Sequence, residues 1–157
     1  MSSFTTIDGD LIALAKKGLF DVIAHGCNCQ NLQGAGMATQ MAKAFHTDDY
    51  PLEQKQFKGD IDKLGRIQWR TVQGPTKPFY VVNCYTQYEP GANLDYDALT
   101  LCMRKINHDF KGKDIGLPMI GAGIAGGDWN CIETIIRNEL HHVNVTIVKY
   151  KPQTTTI

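Results

Sequence analysis

A chain of 157 residues with sixteen Lys and Arg against sixteen Asp and Glu fits one domain that buries roughly two-thirds of its unfolded surface, and its balanced charge argues against a nucleic-acid wrapper or a membrane-surface protein. The opening MSSFTTIDGDLIALA has no basic n-region, and no later stretch approaches membrane-spanning length, so a cytoplasmic protein without membrane or nucleic-acid partners is expected. Five cysteines, Cys27, Cys29, Cys84, Cys102 and Cys131, without CxxC pairs, argue against a disulfide framework or a zinc knuckle and read as free thiols, mostly buried.

Phe4 to Ile7 is expected as a first strand. Asp10, after a turn at Asp8-Gly9, would cap a helix from Leu11 to about Lys17, which Gly18 stops. Leu19 to Ala24 reads as a buried strand. Past it, His25-Gly26-Cys27-Asn28-Cys29-Gln30 forms a polar elbow where a parallel strand would meet a crevice, the usual ligand position in open α/β sheets. Gly34-Ala35-Gly36 then removes side-chain bulk just before Met37, Ala38, Met41, Ala42 and Phe45 take up helical spacing. The free N–H groups of that helix start would lie beside a loop that permits close approach, an arrangement that suits an anion, most often a phosphate.

His46 to Pro51 is a loop, and Leu52 to Lys58 reads as one or two helical turns of mostly exposed residues with little expected function. Gly65 to Arg70 alternates as a half-buried strand, Gly74 to Pro78 turns, and Phe79 to Tyr85 is strongly apolar, so the two strands would pair as a hairpin. Asp95 opens a helix with apolar Leu99, Cys102, Met103, Ile106 and Phe110. Asp114 to Ile120 is a central strand with Pro118 late in it. Gly121-Ala122-Gly123-Ile124-Ala125-Gly126-Gly127-Asp128-Trp129 is a second glycine loop, leading into a helix marked by Trp129, Ile132, Ile135, Ile136 and Leu140. Asn144 to Tyr150 is a β-branched final strand. Residues 1–151 are expected to form a single domain, and the tail 152–157 to fray. This alternation predicts an α/β fold, a three-layer α/β/α sandwich with a mixed, largely parallel sheet, in which the two glycine loops would grip one diphosphate.

The two loops together resemble the macro domain, a family that binds ADP-ribose, and the match runs over most of the chain. Gly9-Asp10-Leu11 is similar to the family's Gly-Asp-Ile segment, whose aspartate accepts a hydrogen bond from the adenine amino group. His25-Gly26-Cys27-Asn28 stands where many members carry Asn-Ala-Ala-Asn, which implies that Asn28 contacts the distal ribose. Gly34, Ala35, Gly36, Met37 and Ala38 resemble the first phosphate loop, and Gly121, Ala122, Gly123, Ile124, Ala125 and Gly126 the second. The His25 elbow, the strand end Asn83 to Gln87 and Gly126-Gly127-Asp128-Trp129 look most like the branch that includes ADP-ribose-1''-phosphatases. A related branch of terminal ADP-ribose glycohydrolases carries a lysine and an aspartate where this chain has Gln87 and Ala125, and neither replaces the lost amine or carboxylate.

The resemblance implies an ADP-ribose 1''-phosphate phosphatase that binds through Asp10, Leu11, Asn28 and the two loops. His25, Asn28 and Asp128 would act on the phosphate, with no cofactor or metal and as a monomer. Each residue has a plainer reading. Asp10 and Asp128 serve as well as helix caps, Asn28 as a turn brace, His25 as a satisfied interior side chain, and Cys27 and Cys29 as small buried thiols rather than nucleophiles. Asn83 and Tyr85 are lesser candidates. Two alternatives stay open: a hydrolase that removes ADP-ribose from protein or nucleic acid, and a reader without chemistry, favoured if His25 is buried and turned from the cleft.

Overall fold

The computed structural model describes residues 2–151, so the expected fraying of Pro152 to Ile157 lies outside the described residues. Six strands form one sheet in the order β1-β6-β5-β2-β4-β3: β1 Phe4–Gly9, β2 Val22–Asn28, β3 Ile67–Val72, β4 Phe79–Gln87, β5 Asp114–Leu117 and β6 Asn144–Tyr150. Every neighbouring pair is parallel except β3 on β4, the expected hairpin. The helices are α1 Leu11–Lys16, α2 Gly36–Phe45, α3 Tyr96–Asp109 and α4 Trp129–Glu139. Among the described residues no helix is long and apolar enough to cross a membrane.

Alternation along β2 shows why three layers form. Val22 and Ala24 pack with Leu99, Ile106, Ile132 and Ile136 of α3 and α4, while Ile23 packs with Leu11, Met41 and Phe45 of α1 and α2. Both sheet faces are covered, so the inner strands read as near-continuous apolar runs. The expected α/β/α sandwich is what the chain forms.

Three boundaries differ from expectation. The second strand begins at Val22 rather than Leu19 and continues through the elbow: His25 pairs with Asn83, Cys27 with Tyr85 and, after a bulge, Asn28 with Gln87. The polar residues are strand residues whose alternate side chains must enter the core. The fifth strand stops at Leu117, because Pro118 has no N–H to extend the ladder. Leu52 to Lys58 are short 3-10 turns of mostly exposed residues as expected, except that Leu52 and Glu53 are buried; the helical turns extend beyond that stretch, four of them between residues 47 and 63, and also bury Tyr50 and Lys63. They pack over β4 beside Cys27, Cys29 and Tyr85. Cys27, Cys29, Cys84 and Cys102 are buried free thiols, and Cys131 is exposed.

Candidate functional site

A cleft of about 620 Å³ opens at the carboxyl ends of β2, β4 and β5, where the strand order places a crevice in sheets of this kind. Of the expected residues, His25, Asn28, Gly34, Ala35, Gly36, Met37, Gly121, Gly123, Ile124 and Ala125 line it. Asp10, Leu11, Ala122, Gly126 and Asp128 are not in its wall. Among the described residues no Asp, Glu, Lys or Arg lines the cleft, so an anion there would be held by amide dipoles rather than by opposite charge.

The first loop runs from Asn28 to Ala35. Helix α2 starts on Gly36 at φ +60, and its N-cap Ala35 makes no side-chain cap, which leaves the first-turn N–H groups unclaimed by any side chain. A Cβ on Gly36 would stand 2.9 Å from Ile124 Cδ1 of the second loop, so the two loops meet across the cleft. A Cβ on Gly34 or Gly123 would meet nothing within 4 Å. Those two glycines keep space open. Gly121 and Gly126 instead serve the turn: both have positive φ, and their added Cβ atoms would press on Leu94 at 3.0 Å and Ala92 at 2.9 Å.

His25 is 1% exposed. Its Nε2 lies 2.7 Å from Asn83 Oδ1, and Asn83 Nδ2 donates to Thr47 O at 2.9 Å. That orientation of the amide makes Oδ1 the acceptor, so Nε2 carries the proton and Nδ1 the lone pair. Nδ1 is buried without a partner. Burial lowers the His25 pKa to about 4, against the opposing pull of Asn83, so the ring is neutral at physiological pH. The expectation of a proton-exchanging histidine near neutrality is corrected: desolvation overrides its ordinary range.

Asn28 braces its own turn. Its Oδ1 accepts from Gln30 N at 3.0 Å and Leu32 N at 3.3 Å, and Nδ2 donates to Leu32 O at 2.8 Å. One amide hydrogen remains for the cleft. Asp128 is exposed, and its Oδ1 accepts from Asn130 N at 2.9 Å as the cap of α4. It is not among the residues that line the cleft. Asp10 Oδ1 accepts from Ala13 N at 3.1 Å as the cap of α1. The Leu11 side chain sits in the α1–α2 core, which leaves only its backbone for a ligand.

Burial holds the Cys27 thiol well above its usual range and raises Cys29 to about 11, so neither is a thiolate nucleophile at neutral pH. Asn83 and Tyr85 are fully buried, Tyr85 donating to Glu53 Oε2 at 2.9 Å. Gln87 Nε2 donates to Glu89 O and Gly91 O and shapes the loop that closes one end. The sequence reading missed Asn31, Gln33, Thr86 and Gly91, all in the cleft wall. The first two adjoin Gly34, and Thr86 continues the alternation of β4, signals that point to them once the glycine loop is taken as a wall.

No protein-family model matches the chain. It is 37% identical over 150 residues to the uncharacterized 17.5 kDa protein of the tk-vs intergenic region of Enterobacteria phage T4, covering 93% of this chain and 96% of that protein. Its structure is similar to the macrodomain of Thermus aquaticus DarG (TM-score 0.72, 21% identity, 97% and 100% of the two chains). It is also similar to Thermosipho africanus DarTG in complex with ADP-ribose (TM-score 0.75, 15% identity, 100% of this chain and 43% of that one). The chain belongs to the family of the phage T4 protein, and its fold is that of the macrodomains.

Proposed function

We propose that the cleft binds ADP-ribose and that the protein hydrolyses ADP-ribose 1''-phosphate there to ADP-ribose and inorganic phosphate. The observation that carries this reading is the convergence of two glycine loops on one uncharged cleft, with the start of α2 left uncapped. Amides so placed suit a diphosphate and the charge that develops on a transferring phosphoryl group. The complex of T. africanus DarTG with ADP-ribose supports the choice of nucleotide.

The adenine would lie toward Asp10, whose cap uses Oδ1 and leaves Oδ2 to accept from the amino group. The spare hydrogen of Asn28 would serve a distal-ribose hydroxyl. His25 lines the cleft, and its unpartnered Nδ1 would orient the attacking water: the water oxygen bonds to phosphorus, the bond from phosphorus to the ribose 1''-oxygen breaks, and one proton of the water passes to that oxygen as it leaves. The lack of a lysine at Gln87 and an aspartate at Ala125 speaks against removal of ADP-ribose from macromolecules. A reader without chemistry is the second reading, favoured by the burial of His25 and by the absence of Asp128 from the cleft wall. Phosphate release from ADP-ribose 1''-phosphate, run beside calorimetry with ADP-ribose, separates them. Release with binding supports the phosphatase, binding alone supports the reader, and neither overturns both.

A further inference from the structure

Among the described residues, no backbone-to-backbone hydrogen bond ties residues 30–34 to another element. Gly34, Ala35 and Gly36 carry no polar side chain; beyond the brace from Asn28 to Gln30 and Leu32 and the bond from Thr39 Oγ1 to Gln33 O, the first loop is tied to residues 47–63 through Asn31 and Gln33. Gln33 Nε2 donates to Glu53 Oε1 at 2.6 Å and to Thr47 O at 3.0 Å, while its Oε1 accepts from Thr47 Oγ1 at 2.7 Å. The other Glu53 oxygen accepts from Tyr85. Asn31 is a non-glycine residue at φ +58. Its Oδ1 accepts from Lys63 Nζ and its Nδ2 donates to Gln54 O at 3.1 Å. Lys63 also donates to Leu52 O at 2.9 Å and lies 5.0 Å over the Tyr85 ring.

Glu53 is 8% exposed and Lys63 fully buried, and neither lines the cleft. Burying a charge costs several kcal/mol unless its bonds are filled, and an apolar pair would serve a simple turn better. Glu53 and Lys63 feel each other's charge, but each makes its hydrogen bonds to a residue of the loop, Glu53 to Gln33 and Lys63 to Asn31.

We propose that Glu53 and Lys63 are positioning residues of the first glycine loop, holding Gln33 and Asn31 on either side of Leu32 so that the amides at the start of α2 are set for phosphate before a ligand arrives. The ligand half of this rests on the ADP-ribose reading of the cleft. Its energetic basis is preorganisation: a loop already in its binding geometry loses less entropy when the ligand orders it.

The test compares wild type with Glu53→Leu, Glu53→Gln and Gln33→Leu by ADP-ribose calorimetry and by amide order parameters of Gly34 to Gly36 in the unliganded protein. Glu53→Leu weakens affinity by about tenfold and lowers the loop order parameters while those of β2 and β4 hold, whereas Glu53→Gln keeps an acceptor for Gln33 and stays within about threefold. Gln33→Leu cuts the same bonds from the loop side while keeping the Glu53 and Lys63 side chains in place, and so decides the matter if Glu53→Leu does not fold. Wild-type affinity and wild-type loop order in Gln33→Leu overturn the proposal. If wild type itself binds no ADP-ribose, the reading of the cleft fails separately, and the order parameters alone decide whether Glu53 and Gln33 position the loop.

Discussion

At His25 the register of β2 on β4 decides the chemistry. The ring is aligned with Asn83, and the Asn83 amide is itself fixed by Thr47, so a single tautomer follows from two hydrogen bonds. Replacing His25 by Ala removes the free Nδ1 acceptor while leaving both glycine loops in place. ADP-ribose affinity should stay within severalfold while phosphate release falls by roughly a hundredfold, the scale of a lost contact to the attacking water in the transition state; equal loss of both in calorimetry and the release assay would make His25 only a packing residue. With the His25 pKa near 4, the rate should show no acid limb near 6.5. Asp128 gives the opposite expectation. Asp128→Ala removes the cap of α4 and should cost about 1 kcal/mol of stability, read as a lowered melting temperature, with phosphate release within about twofold of wild type.

Elements differ in how far local sequence announces them. The glycine loops were legible because glycine marks both a turn and an absence of bulk, and both consequences are local: Gly123 leaves open space, Gly121 and Gly126 take positive φ. Helix α3 was legible because Asp95 caps it and its apolar residues recur at three and four. The 3-10 segment was not. Glu53 meets Gln33 and Tyr85, and Lys63 meets Asn31, across separations of 20 and 32 residues, and no periodicity within residues 47–63 encodes partners that far off. The elbow misled for a related reason: polar letters suggested a loop, whereas pairing with β4 supplied the partners that let His25 and Asn28 stay in a strand. The division among glycines is testable. Gly126→Ala, which would strain a positive φ and press on Ala92 at 2.9 Å, should lower the melting temperature, whereas Gly123→Val should leave it unchanged.

For the whole molecule, buried titratable groups make stability depend on pH. His25 in the fold holds its pKa near 4 against an ordinary 6.5. Below about 6.5 the unfolded chain takes up a proton that the folded chain refuses, so this contribution is intact above 6.5 and is lost as pH falls toward 4, on the order of 3 kcal/mol in all. Glu53 acts in the other direction, because burial raises its pKa and the folded chain then takes up its proton first. The melting temperature of wild type should fall between pH 6.5 and 4, and His25→Gln should flatten that fall. An identical pH profile in the variant would mean that another group governs acid unfolding.

The three-layer sandwich brings two glycine loops to one end of the sheet, and one calorimetric comparison tests their role most directly: titration of ADP-ribose into wild type and into Gly123→Val, a substitution whose Cβ meets nothing of the protein within 4 Å at a residue that lines the cleft. Saturable one-to-one binding in wild type and none in the variant, at equal melting temperature, is the predicted result; equal affinity in both would contradict the two-loop cradle, and no binding in wild type would contradict the assignment of ligand.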